Sequence, residues 1–462
     1  MAPGPHCAAS ERSLRHEDTM TAPALPFPTV PGAVPLLGHL PHMARSPLAF
    51  FRRLPSHGPV VRLRVARRDV LAVTSPRLAH RIHVDDQHLF DKGGPLSESM
   101  KDTLGDNLVT CPAGEHARQR PLMNPAFHSS RMPAYSDVIR EAAVEVATSW
   151  KPGQTVRLDR EAHRLAALAV TRSLVSAPAA ADAASVLASG LDDISQGIYV
   201  RSLFPGQLFA KLPLPVNRRY ERQMARTRQA INRVTVQYRA AGEDFGDVLS
   251  KVVPACEEEA NPQQAVHDQV LGMVFGGVET TAAALVWTLR LIDQYQVAGD
   301  LHQELRDVLG GSLPAHENID RLDYMRRVVT EALRLHPPAW LGTRISTAPV
   351  PWTEGTIPPE TAVVFSPYAL NRDPDLFENP DRFDPDRWNR ENVTPEQRRY
   401  FFPFGAGTRK CIGHTFAMNE LILALAVILT SWDLRHHSSP TARHTPRFIM
   451  GPPPTPVTVQ PR

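Results

Sequence analysis

The sequence predicts a mainly α-helical fold with a small β-rich lobe, and three observations carry the prediction. Apolar residues recur at helical spacing through most of the chain. Strict alternation is confined to short stretches: Val61, Leu63 and Val65 alternate with Arg62 and Arg64, and a polar turn separates them from a second run over Val70 to Thr74. Apolar residues make up 42% of 462, enough for a large core, and the longest unbroken apolar run, Leu421 to Leu429, falls far short of the roughly 20 residues that cross a bilayer. No membrane anchor is expected.

Residues 1–25 mix Pro, Ala, His and charge without a hydrophobic signal core, so they are expected to form a disordered lead, with one domain over 26–462. Cys7, Cys111, Cys256 and Cys411 have neither metal-clip spacing nor a disulfide framework, which fits a reducing cytoplasm. A net charge of +3 without a basic stripe interleaved with aromatics argues against nucleic acid as a partner.

After the strand pair, helical patterns dominate. His116 and Arg120 lie one turn apart, and both types suit a carboxylate through charge-assisted hydrogen bonds. Asn261 as N-cap and Pro262 as first helical residue open a long central helix that contains Gly272, Gly276 and Gly277. Each glycine costs roughly 1 kcal/mol relative to alanine there, so the cluster serves either close helix packing or the approach of a ligand. Met325, Val328, Val329, Ala332 and Leu333 form the apolar face of another helix, which Pro337 and Pro338 end near Leu335. It carries Glu331 and Arg334 one turn apart, the spacing of a common surface ion pair. A short strand is expected at Ala362 to Ser366 and more in the C-terminal tail.

The most informative segment is Phe404-Gly405-Ala406-Gly407-Thr408-Arg409-Lys410-Cys411-Ile412-Gly413. Its glycines permit a tight loop that leaves the sulfur presented, and an apolar helix begins at His414. A cysteine at a helix N-terminus is either a small buried hydrophobe or a thiolate favoured by amide donors and the dipole.

This segment resembles the haem-binding loop of the cytochrome P450 monooxygenases, and Ala417 and Glu420 continue that pattern. Glu331-Ala332-Leu333-Arg334 matches the family's Glu-x-x-Arg, Pro380-Asp381-Arg382-Phe383 resembles its third element, and Gly276-Gly277-Val278-Glu279-Thr280-Thr281 resembles its oxygen groove. The resemblance covers the chain after Pro26 and implies the cytochrome P450 fold. It implies haem b with Cys411 as the iron ligand, His116, Arg120, Arg344 and Arg409 as carboxylate partners, and Gly276, Phe404 and Gly413 against the cofactor. Glu279 and Thr280 become the catalytic acid and alcohol, and Glu331, Arg334 and Arg382 a buried structural triad. Two departures are Pro121, where a second arginine is common, and Gly276, where alanine is common.

The resemblance also implies a monomeric cytoplasmic enzyme whose electrons come from a ferredoxin and an NAD(P)H-ferredoxin reductase, since no fused reductase is left over. Arg398, Arg399 and Lys410 with Arg409 form the expected docking surface. Pocket positions fall on Leu96, Met273, Phe275, Ala339, Trp340, Leu341 and Ile449, within segments that also include 198–214 and Phe448; the Trp340 ring is expected to narrow the cavity. Their apolar character, and the likeness of Phe90 to Leu96 and Leu212 to Arg219 to stretches in actinobacterial terpenoid oxidases, imply a terpenoid substrate such as a sesquiterpene. Macrolide, polyketide and fatty-acid hydroxylation are alternatives. So are a peroxygenase or isomerase and a non-oxygenating haem-thiolate sensor; the sensor has no use for Glu279 and Thr280.

Overall fold

The computed structural model describes residues 26–462 except 67, 177–185, 187–193, 195–211, 213, 438–444 and 447–448. The expected lead over 1–25, most of the pocket segment 198–214 and Phe448 lie outside the described residues.

The alternating run folds as expected into β1 (Val60–Val65), paired antiparallel with β2 (Arg68–Val73). Val61 and Leu63 are buried while Arg62 and Arg64 face outward, the period-2 split of a one-sided strand. Three distant strands complete the sheet: β3 (Phe90–Asp91), β4 (Gly342–Ser346) and β5 (Ala362–Phe365), in the order β1-β2-β5-β4-β3. The lobe therefore joins strands from residues 60–91 with strands from residues 342–365.

Eight helices matter for the site. They are α1 (Pro95–Leu104), α2 (Ala113–Met123), α3 (Met132–Thr148), α4 (Leu158–Leu174), α5 (Pro215–Ala241), α6 (Pro262–Gln294), α7 (Asp323–Leu335) and α8 (His414–Ser431). The central helix, α6, starts where its signals place it: the Asn261 side chain accepts from the Gln264 amide at 3.2 Å, with Pro262 as first residue. α7 ends at Leu335, ahead of the two prolines.

The largest core cluster joins α3, α4, α6, α7 and α8; two others fill the β lobe. A fourth packs Leu104, Tyr220, Met224, Leu271 and Phe275 where α1, α5 and α6 meet. By length and composition alone α6 and α8 are apolar enough to cross a membrane, although neither contains an unbroken apolar run of that length; both are mostly buried inside the fold.

Candidate active site: a cysteine loop, its brace and an open groove

The loop before α8 is closed by its own backbone. The Cys411 amide donates to the Phe404 carbonyl at 2.8 Å, Gly405 N–H to Phe402 at 2.9 Å and Lys410 N–H to Gly407 at 3.2 Å. Gly405 and Gly407 adopt φ of +70° and +66°, angles that side chains disfavour, and a Cβ on Gly407 would lie 1.8 Å from the His83 carbonyl oxygen. Cys411 is left exposed, with Gly413 as the N-cap of α8. The surrounding protein still pushes its thiol above the usual range through burial; the Gly413 amide, Arg120 and Lys410 oppose that shift by favouring thiolate. Arg120 donates to the Lys410 carbonyl at 2.7 Å through Nη1 and to Asn124 at 3.0 Å through Nε, so it braces this loop.

Glu331 and Arg334 are fully buried. Arg334 grips Glu331 through two nitrogens at 2.8 and 2.7 Å and donates to the carbonyls of Asn371, Pro380 and Arg382 at 2.9, 2.7 and 3.0 Å. Trp388 and the Asp384 amide donate to Glu331 at 2.8 and 3.0 Å. The second guanidinium beside it belongs to Arg387, at 3.5 Å. This corrects the expected triad: Arg382 is exposed and contributes only its carbonyl. Pro-Asp-Arg-aromatic occurs twice, at 380–383 and 385–388, and the second copy forms the 3-10 turn, capped by Asp384, that packs on α7.

Between the lobe and the loop lies a set of cations. Arg409 donates to Asp91 at 3.1 Å and to the Cys111 carbonyl at 2.8 Å. Burial, then Arg409, pulls Arg344 down to about 10; burial, then Arg409 and Arg120, pulls His116 down to about 4. Lys92, absent from the sequence reading, belongs to the same set: burial, then Arg344 and Arg409, holds its ammonium well below the ordinary range. Its signal was the flanking pair Asp91 and Gly93, which mean little until β3 meets β4.

On α6 the three glycines differ. A Cβ on Gly272 would meet the Asn107 side chain at 2.7 Å and one on Gly277 would meet Val170 of α4 at 2.9 Å, whereas one on Gly276 would have nothing within 4 Å. Packing explains two of them; Gly276 opens a groove. Beside it the Thr280 hydroxyl donates to the Gly276 carbonyl at 2.6 Å, and Glu279 pairs with His163 of α4 at 3.3 Å. Behind, on α8, Glu420 is fully buried, and burial pushes its carboxyl well above the usual range.

Of the pocket positions, Phe275 belongs to the cluster among α1, α5 and α6, Leu96, Met273, Leu341 and Ile449 are half-buried, and Ala339 is exposed. Trp340 does not narrow a cavity. The chain bends at Pro338 and Ala339, where the Trp340 amide donates to the Pro338 carbonyl at 3.1 Å, and Trp340 turns into the lobe core, its ring 6.1 Å from that of Phe51.

These residues fit a haem. Cys411 offers one sulfur, Gly276 leaves open space on α6, and the cation set suits carboxylates.

The chain matches the family profile Cytochrome P450 over residues 28–459. Cyclooctatin synthase of Streptomyces melanosporofaciens is 39% identical over 94% of this chain and 95% of its own length. Cyclooctat-9-en-7-ol 5-monooxygenase of the same organism is 34% identical over 94% and 95%. Pentalenene oxygenase of Streptomyces avermitilis is 33% identical over 87% and 90%. The crystal structure of the cytochrome P450DA heme domain superposes with a TM-score of 0.82 at 24% identity, covering 94% of this chain and 98% of that one. A helical fold that presents one cysteine on a glycine loop, braced from behind, defines the class: the chain belongs to the cytochrome P450 family. It is a monooxygenase of that family, and the family implies a haem-iron cofactor.

Proposed function

We propose that this enzyme oxidises a lipophilic terpenoid, inserting one atom of dioxygen with two electrons delivered by a ferredoxin and its reductase to haem b. The observation that carries the reading is full-length likeness to relatives named for the oxidation of cyclooctat-9-en-7-ol and pentalenene. The apolar cluster of Leu104, Leu271, Phe275, Tyr220 and Met224 beside the groove agrees with a ligand bound by area and shape.

When bound, haem supplies dioxygen activation and oxygen insertion into a C–H bond. Cys411 would hold the iron through its thiolate, while the Gly413 amide, Arg120 and Lys410 favour the sulfur's negative charge. Thr280, released from the Gly276 carbonyl, would donate its hydroxyl into the groove, and Glu279, released from His163, would bring protons to it from solvent. Glu331, Arg334 and Arg387 keep the core behind the loop rigid. Arg398, Arg399 and Lys410 are exposed, and they would steer an acidic ferredoxin.

Titration of the ferric protein with terpenoid hydrocarbons and alcohols, followed by turnover with ferredoxin, reductase and NADPH, tests the reading. A ferric spectral shift and an oxygenated product are expected. Response to glycosylated macrolides or fatty acids alone would contradict the substrate, and turnover by peroxide with no response to ferredoxin would contradict the electron source.

A further inference from the structure

We propose that the outer face of α5 docks on an anionic lipid bilayer. The use of such docking rests on the reading of the substrate as lipophilic, since a compound of that kind partitions into the bilayer.

α5 carries seven arginines against one acidic residue, Glu221. At about 100° of turn per residue, Arg218, Arg219, Arg222, Arg226 and Arg233 fall within an arc of about 100°, and the stripe runs about 22 Å from Arg218 to Arg233. All five are exposed. The opposite side of the helix bears the buried Tyr220 and Met224, which pack with Leu104, Leu271 and Phe275 in the apolar cluster beside the groove. One helix therefore has that cluster at its back and a straight row of cations at its front.

Several arginines elsewhere meet acids: Arg118 of α2 pairs with Glu115 and Glu259, Arg172 of α4 with Glu145, and Arg239, near the end of α5, with Glu257. Among the described residues, the side chains of the five stripe arginines make no ion pair or hydrogen bond. Five unrelieved like charges in a row call for an anionic surface, and a guanidinium grips a phosphodiester through paired N–H groups.

Apolar side chains at the same face select a bilayer over an acidic protein. Leu212 and Leu214 are 45% and 37% exposed just ahead of Arg218. Their turn is fixed: the Leu214 amide donates to the Leu212 carbonyl at 2.8 Å, and the Asn217 side chain donates to the same carbonyl at 2.9 Å. Val236, 60% exposed, lies five turns beyond Arg218 on the same side. Cations beside protruding apolar groups suit the boundary between headgroups and acyl chains.

Cosedimentation of the haem-loaded full chain with vesicles tests the assignment, comparing phosphatidylcholine alone with an equimolar mixture of phosphatidylcholine and phosphatidylglycerol. Binding to the mixture alone is expected, and it should fall as salt is raised. Arg222→Gln combined with Arg226→Gln should weaken it at least about tenfold, since each cation near such a surface is worth about fivefold. Leu214→Ser should weaken it as well. Arg228→Gln, outside the arc, and the charge-matched pair Arg398→Gln with Arg399→Gln should bind near wild type. Glutamine keeps helix propensity at these exposed positions, and the haem absorbance of each variant checks its fold.

Absence of binding, or equal binding to both vesicle types, overturns the proposal. So does equal loss in the two double variants, which would reduce the effect to net charge. Vesicle binding unchanged by Arg222→Gln with Arg226→Gln, alongside weakened binding of an acidic ferredoxin, would give the face to a protein and also overturn it. The assay uses neither substrate nor electrons, so its failure would leave the oxidation of a terpenoid standing, and a failed terpenoid titration would leave the docking face standing.

Discussion

Glu331 has no contact with solvent, and its stability is that of a carboxylate with every lone pair engaged by Arg334, Arg387, Trp388 and a backbone amide. Removing one partner leaves a buried charge short of donors, so Arg334→Met should destabilise by about 3–5 kcal/mol. Arg387→Ala should cost about 1–3 kcal/mol, whereas Arg382→Ala, at an exposed side chain, should stay within about 0.5 kcal/mol. Urea denaturation of the three variants checks the order, and an Arg382 effect larger than that of Arg387 would contradict it. Thr280→Ala should leave haem and substrate binding nearly intact while diverting NADPH equivalents to peroxide; a wild-type ratio of product to NADPH consumed would remove Thr280 from the proposed proton path. Glu331, Arg334 and Cys411 were legible because their motif neighbours fix them in the sequence. Arg387 was not, because two Pro-Asp-Arg-aromatic copies offer equal local patterns and only packing on α7 chooses between them. Trp340 was misread for a related reason: a segment's lining role does not say which of its side chains the bend at Pro338 and Ala339 turns into the lobe core.

Among the elements, α6 shows best where sequence reasoning stops. Its N-cap, its first proline and its apolar periodicity fixed where it begins, but which of its glycines packs and which opens depends on residues far away in the chain. Asn107 sits on Gly272, held there by bonds to the Leu104 carbonyl at 2.9 Å and from the Val109 amide at 2.9 Å, so it cannot move aside cheaply. Gly272→Ala should therefore lose about 1–3 kcal/mol through overpacking, despite the better helix propensity of alanine. Gly276→Ala should keep or raise thermal stability by about 0.5–1 kcal/mol, because its Cβ meets open space. Calorimetry on the pair decides; equal losses at both positions would mean that Gly276 packs as Gly272 does.

At the scale of the molecule, the β lobe draws strands from residues 60–91 and 342–365, and that closure brings Lys92, Arg344, Arg409 and the cysteine loop to one place. Periodicity identified α6, α7, α8 and the first strand pair, but sequence spacing carries no trace of such long-range pairing, so Lys92 stayed out of sight. The same closure buries His83, whose imidazole donates to the Ala79 carbonyl region at 2.7 Å and is pushed down to about 3 by burial and then by Arg344. Its ordinary value is 6.5, so the folded protein gains stability from neutral His83 above that pH and loses it as the pH falls from 6.5 towards about 3, where the unfolded chain binds the proton more readily. His83→Gln should flatten the stability profile over that window, and an unchanged acid slope would contradict the assignment. On the outer surface, reversing Arg398 and Arg399 to glutamate should slow reduction by an acidic ferredoxin most at low salt; rates equal to wild type across an ionic-strength series would move the docking site elsewhere. The expectations for Thr280 and for reduction by ferredoxin depend on Cys411 as the iron ligand, and the ferrous carbon monoxide spectrum of freshly reduced, undenatured protein tests that most directly: the account predicts the red-shifted Soret band of thiolate ligation, and a histidine-type band would contradict it.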